Sequence, residues 1–263
     1  MKIFSITLVN IALLMSRGMA QDATPNAQDI ASRLSTAIQD GSSSARVKME
    51  TKPSAGGAKT VLQLQIKTRR TNASTDILYQ VLWPKERKGE AFLLHKAANQ
   101  AATGTVFTPP NTTKTITAGQ MREGVFGSDL SYEDLVENFF SWDNQAIVGT
   151  ETVDHVACQI LESKPGKNSH SSYGRVRSWI DVKKLVPMRI EKYSASGNME
   201  RRITTARVAK NDADRPVPAT LIVQHGGSTT ELEGSKSRYD VTYKDADFTP
   251  DALRALSAGG SQN

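Results

Sequence analysis

The chain has one cysteine among 263 residues. That excludes an intrachain disulfide, a disulfide scaffold and any multi-cysteine zinc or iron–sulfur site. Histidine is scarce too, with four residues. His95, His155, His170 and His225 never stand four apart, so there is no His-Glu-x-x-His helix and no zinc-ligand spacing. Gly-x-Ser-x-Gly, phosphate-loop and dinucleotide signatures are missing. Aromatic residues make up 6% of the chain, and no basic run is interleaved with them. A formal charge of +6 is mild for this length, so no nucleic-acid partner is expected. Long hydrophobic runs are also absent, save one at the start.

That run extends from Ile3 to Met15, behind Lys2 and ahead of Gly18-Met19-Ala20. A basic start, a short apolar stretch and small residues at −3 and −1 describe a secretory signal peptide, residues 1–20. A membrane anchor is the competing reading, but the run is short of the ~20 residues a spanning helix needs. Removing Lys2 and Arg17 takes the charge from +6 to +4. Cys158 lies far from the cleavage site, so no lipid attachment is expected there. The mature chain is expected to be exported and soluble, without a transmembrane segment, and periplasmic in a Gram-negative cell.

What is present is mostly alternation. Thr24-Pro25 opens an amphipathic helix with Ile30, Leu34, Ala37 and Ile38 on one stripe, stopped at Asp40-Gly41. From Arg46 the apolar period becomes two. Candidate strands follow at 46–49, 62–66, 77–83, 91–94, 103–107, 113–117, 145–150, 156–163, 175–182, 188–193, 199–208, 219–224 and 237–243. Ser131-x-x-Asp134 fits a capping box ahead of Leu135, Val136, Phe139 and Phe140. Thr249-Pro250 opens a last helix, and residues 257–263 read as a disordered tail. About ten to twelve antiparallel strands with few helices predict a mainly β fold, one long sheet that curls or closes around the N-terminal helix. Residues 21–256 read as a single domain.

No catalytic residue can be nominated. His225-Gly226-Gly227-Ser228 resembles an esterase oxyanion loop but lacks a nucleophile elbow, and reads as a hairpin turn. Cys158, between apolar neighbours, reads as a buried thiol. No cofactor and no metal are implied, and the chain is not expected to be an enzyme.

Gly127-Ser128-Asp129-Leu130-Ser131-Tyr132-Glu133-Asp134-Leu135 resembles the signature of outer membrane lipoprotein-sorting proteins of the LolA/LolB-like superfamily. Pro84 to Gly89 followed by Ala91-Phe92-Leu93-Leu94 is similar to that family's Pro…Lys-Gly…Leu-Leu strand pair. Trp179-Ile180-Asp181, then Pro187, Arg189, Glu191, Tyr193 and Gly197, is similar to its later hairpin, and Phe248-Thr249 to its closing helix. The resemblance implies an incomplete, strongly curved antiparallel β-barrel with helices packed on the concave side. It implies a monomeric periplasmic carrier of a lipid or lipoprotein acyl group, serving an RND/MMPL-type inner-membrane exporter. A periplasmic sensor or binding module that regulates a membrane partner is the alternative. Trp83, Phe92, Trp142, Trp179 and Met188 are the ligand-cavity candidates. Gly127, Ser128, Asp129, Tyr132 and Asp134 carry the signature and read as structural: Asp129 or Ser131 as a helix cap, Tyr132 as an anchor on the sheet.

Overall fold

The period-two stretches all become strands. The computed structural model describes residues 26–258, apart from 40, 55, 72, 98, 99, 168 and 213. The targeting segment and most of the expected tail therefore lie outside the described residues. The N-terminal helix α1 spans Ala27–Gln39. The strands are β1 (Ser42–Lys52), β2 (Thr60–Arg70), β3 (Ser74–Trp83), β4 (Ala91–Ala97), β5 (Thr103–Thr108) and β6 (Thr112–Ile116) in a first half. A second half holds β7 (Asn144–Val153), β8 (Val156–Lys164), β9 (Tyr173–Asp181), β10 (Val186–Ser194), β11 (Met199–Lys210), β12 (Pro216–His225) and β13 (Ser228–Tyr239). Helix α2 (Tyr132–Val136) lies between the halves, and α3 (Pro250–Ala258) ends the described chain.

All thirteen strands form one antiparallel sheet, ordered β6-β5-β4-β3-β2-β1-β13-β12-β11-β10-β9-β8-β7. The chain enters at the middle, walks by hairpins to one edge, crosses over, and returns from the other edge until β13 closes against β1. Strands β6 and β7 are the two unpaired edges, so the sheet is a curved barrel that is not closed. Residues 117–143 carry the chain between those edges. This crossover consists of three 3-10 turns and α2.

Alternation decides what is inside. On the concave face of the first half, Met49, Leu62, Leu64, Ile77, Tyr79, Val81, Phe92 and Leu94 pack against Met121, Val125, Leu130 and Val136 of the crossover. On the second half, Leu161, Tyr173, Val176 and Ile180 receive Phe139, Phe140 and Trp142 together with Ile30, Ala31 and Leu34 of α1. The intervening residues of β3 and β4 point the other way. Leu78, Ala91 and Leu93 are buried on the outer face with Phe107, under Phe248 and Leu253 of the last helical segment. Strands apolar on both faces must be covered on both faces.

Details differ from the sequence reading for physical reasons. Asn26 caps α1, accepting from Asp29 N at 2.8 Å; Thr24 and Pro25 lie outside the described residues. Ile38 is left 36% exposed rather than joining the stripe. Strand β13 begins at Ser228, nine residues earlier than expected, because only Thr230 and Leu232 of its first half are buried and the rest is polar. The His225–Ser228 hairpin is as read: Gly226 and Gly227 have φ of 57° and 87°, the two positive angles of a type I′ turn. Helix α3 runs through Ser257 to Ala258, into residues read as tail.

Candidate functional site

The signature sits at the centre of the crossover, and nearly every polar atom in it is tied to the sheet. Ser131 is the helix cap: Asp134 N donates to its Oγ at 3.2 Å, and Ser131 N donates back to Asp134 Oδ2 at 2.8 Å. This reciprocal pair is a capping box. Asp129 turns elsewhere, accepting from Thr230 Oγ1 of β13 at 2.7 Å and from the Ser228 hydroxyl. Glu133, also buried, accepts from Ser171 Oγ at 2.6 Å and from Ser172 N at 2.8 Å.

Asp134 is the hub. Its carboxylate is fully buried, with Lys192 Nζ of β10 at 2.7 Å and Arg201 Nε of β11 at 3.2 Å. Tyr173 of β9 donates its hydroxyl to Oδ1 at 2.8 Å. Arg201 donates further to Tyr173 Oη at 2.9 Å, to Asp129 O at 2.6 Å and to Arg122 O at 3.3 Å. Lys192 Nζ also lies over the Phe139 and Tyr173 rings, 5.3 and 5.1 Å from their centroids. Burial alone would raise the Asp134 pKa. The Lys192 and Arg201 charges outweigh it and hold the group down at about 2. Burial and the neighbouring Asp134 charge push the Tyr173 phenol up. The result is a buried knot of one carboxylate, two cations and a phenol that fastens the crossover to three strands of the second half.

Two glycines make the approach to this knot. A Cβ on Gly124 would lie 1.9 Å from the Ser128 carbonyl oxygen, so only glycine fits there. Gly127 has φ of +82°, which glycine adopts without strain. Tyr132 then stands edge-on to Phe92 at 5.0 Å, while Tyr79 stacks on the other side of that ring at 4.9 Å.

Where the crossover meets the sheet's open seam there is a cleft of about 1340 Å³. One wall is the β2–β3 and β4–β5 turns, with Thr71, Ser74 and Lys96; the other is the β8–β9 loop, with Lys167 and His170. The floor is Glu137, Asn138 and Trp142, against which α1 is packed. Lys96 pairs with Glu137 across the seam, and Trp142 Nε1 donates to the same carboxylate at 2.7 Å. Asn138 Nδ2 donates to Ser35 Oγ of α1 at 2.9 Å, while its buried Oδ1 has no partner among the described residues. Helix α1 is otherwise held by Ile30, Ala31 and Leu34 and by Arg70 donating to Ile38 O at 3.3 Å.

The five cavity candidates are not brought together. Phe92 is fully buried at the centre of the first-half core, and Trp142 is under α1 beside the cleft. Trp179 and Met188 share a cluster with Val153, Cys158 and Val186 on the outer face, because Trp179 alternates with the inward Ile180. Trp83, at the end of β3, is 50% exposed. The Trp179 ring is covered by Arg189, 4.9 Å from its centroid, and its Nε1 donates to Glu151 Oε2 at 2.7 Å. Lys192 and Arg201 were not singled out from the sequence. Their signal was a basic residue in the inward register of Ile190 and Ile203.

The Cys158 thiol is buried and pushed up by that burial. Among the described residues no group of three His, Cys, Asp or Glu is placed to hold a metal. No helix among them is long and apolar enough to cross a membrane.

This geometry can be set beside known proteins. A family model described as "-like: Uncharacterized protein" matches residues 73–255, more than half of the chain. The chain belongs to that family. No curated protein matches it. Among solved structures, a DUF1329 family protein from Desulfovibrio piger superposes with a TM-score of 0.79 at 23% identity, over 86% of this chain and 97% of that one. A putative outer membrane lipoprotein-sorting protein domain from Vibrio parahaemolyticus gives 0.76 at 22%, over 87% and 98%. A LolA superfamily protein from Nitrosomonas europaea gives 0.67 at 19%, over 87% and 100%. The fold is that of the LolA superfamily, as the Gly127–Leu135 resemblance implied.

Proposed function

We propose that the protein is a soluble periplasmic carrier of a lipid or lipoprotein acyl group between the inner and outer membranes. The observation that carries this reading is the unequal lining of the barrel. The second half's concave face is apolar and is covered by a separate helix, α1, beside an open cleft. An acyl chain that displaced α1 would meet Phe139, Phe140, Trp142, Leu161 and Ile180. Burial at roughly 0.8 kcal/mol per methylene would supply affinity without a sharp motif. Of the five cavity candidates, Trp142 is the one so placed, and Phe92 lies deeper on the same concave side. Trp179, Met188 and Trp83 would need a ligand elsewhere. Service to an RND/MMPL-type exporter belongs to the same proposal, and the chemistry of the cleft requires no catalytic step.

The test is direct. The mature protein, purified without detergent, should yield acyl lipids on organic extraction and mass spectrometry, and should take up a fluorescent fatty acid. Loosening α1 by Ile30→Ala with Leu34→Ala should speed uptake. No extractable lipid together with no uptake would overturn the proposal; uptake unaffected by the double variant would move the acyl site away from α1.

A further inference from the structure

The outer face carries a feature that the carrier reading does not use. Strands β1 and β13 are the interior strands where the two halves of the sheet meet. Val47 and Met49 point into the core, so Arg46 and Lys48 between and beside them point out. The register sets Arg46 directly opposite Lys236. In the next row, Lys67 of β2 and Arg238 of β13 flank Ser44. Arg46, Lys236 and Arg238 are exposed and Lys67 is half-buried.

None of these four forms an ion pair among the described residues. Lys67 only approaches the Tyr243 ring, at 6.0 Å. Acids on the same face lie outside the patch: Glu50 pairs with Lys48 at 3.5 Å and stands opposite Glu231, Glu233 lies opposite Lys48 with Arg207 at 3.8 Å, and Asp76 pairs with Arg69 at 2.9 Å. Further round the sheet, Arg177 is matched with Glu162 and Arg202 with Glu191. Like charges directly opposite one another weaken a strand pair. Protection of a sheet edge, the ordinary reason for basic strand residues, does not apply to interior strands.

We propose that this patch docks the protein on an anionic phospholipid bilayer. Four cations on three adjacent strands, spaced about 4.8 Å apart between strands, form an open surface rather than a pocket. The backbone beneath them is already paired in the ladder, so it offers nothing to a peptide. Long flexible side chains over a paired sheet recognise charge density, and the headgroup plane of an acidic bilayer supplies it. Lys67 stands four residues before Thr71 on the rim of the cleft, so docking by the patch keeps that rim near the membrane.

The experiment is co-sedimentation of the mature chain with vesicles of phosphatidylcholine containing phosphatidylglycerol, against pure phosphatidylcholine. Binding is expected only to the acidic vesicles and should fall steeply as salt shortens the screening length to about 8 Å. Each of Arg46→Gln, Lys67→Gln, Lys236→Gln and Arg238→Gln should weaken it by about fivefold. The fourfold variant should lose binding while keeping its melting profile and fatty-acid uptake. Neutralising Lys183, Lys184 and Lys210 instead should cost far less. Equal binding by the fourfold variant, no binding to acidic vesicles, or stronger patch-dependent capture on immobilised polyglutamate would each overturn the proposal. Because fatty-acid uptake is read separately, failure of the carrier reading remains distinguishable from failure of this one.

Discussion

The two halves of the concave face are covered in opposite ways. In the first half the cover is the crossover, continuous with the sheet at both ends and fastened by Asp129, Glu133 and Asp134. Its apolar contacts run from Met121 to Val136 around Phe92. In the second half a large part of the cover is α1, which leads into the sheet through β1. Among the described residues, Ala27, Ile30, Ala31 and Leu34 and two hydrogen bonds hold it. The lesson is that one fold combines a cover tied by buried charges with one held by apolar packing. The apolar-held cover lies beside the open seam.

That contrast can be broken at its strongest point first. Asp134→Asn removes the only carboxylate among the described residues within ion-pair distance of the buried Lys192 and Arg201. Removing one partner of a buried pair costs about 3–5 kcal/mol, and a urea titration should show that loss globally. Phe92→Ala, a large-to-small change in the fixed half, should cost a similar amount, about 3–5 kcal/mol, through the same cooperative transition. Leu34→Ala should cost about 2–3 kcal/mol at its site, but locally: amide exchange over 27–39 should accelerate while the global midpoint moves little. Matching midpoint shifts for Phe92→Ala and Leu34→Ala would erase the distinction between the two covers.

Acid provides a milder probe of the knot. The Asp134 pKa is held at about 2 in the folded chain, below its ordinary 3.8. A depressed carboxylate contributes stability that is fully present above its unfolded pKa and lost as pH falls through the folded one. The contribution is about 2 kcal/mol, at 1.36 kcal/mol per pKa unit. It should disappear between about pH 4 and pH 2, and Asp134→Asn should flatten stability over that window. The smallest expected effect is Ser35→Ala, which removes the Asn138 hydrogen bond to α1 and should cost about 1 kcal/mol. It sharpens the comparison only if exchange in α1 responds and exchange in β3 and β4 does not.

The legible parts of this protein were those with a local cause. Alternation at Leu62–Ile66 and Ile77–Trp83, the Gly226-Gly227 turn and the Ser131–Asp134 capping box are each written within a few residues. Strand β13 was half hidden because its solvent face and most of its inner face are polar. Phe139 and Phe140, at helical spacing after Leu135 and Val136, sit instead in a separate 3-10 turn after α2 ends. The Asp134 knot was readable only on one side. Its acid lies in a recognisable signature, whereas Lys192 and Arg201 are 58 and 67 residues further on and look like ordinary strand charges. The basic patch was invisible for the same reason, since Arg46 and Lys236 meet only through the β1–β13 register.

By itself, then, the sequence determined an antiparallel, mainly β chain with short helices, an amphipathic first helix and a signature whose resemblance led to the right fold. These follow from periodicity and capping, which act over a turn or a strand. Tertiary structure alone decided that the two edges stay open, that the crossover is locked while α1 is lightly held, and which charges are buried in a knot or exposed in a patch. Those outcomes depend on strand register, and register joins residues that no local pattern connects.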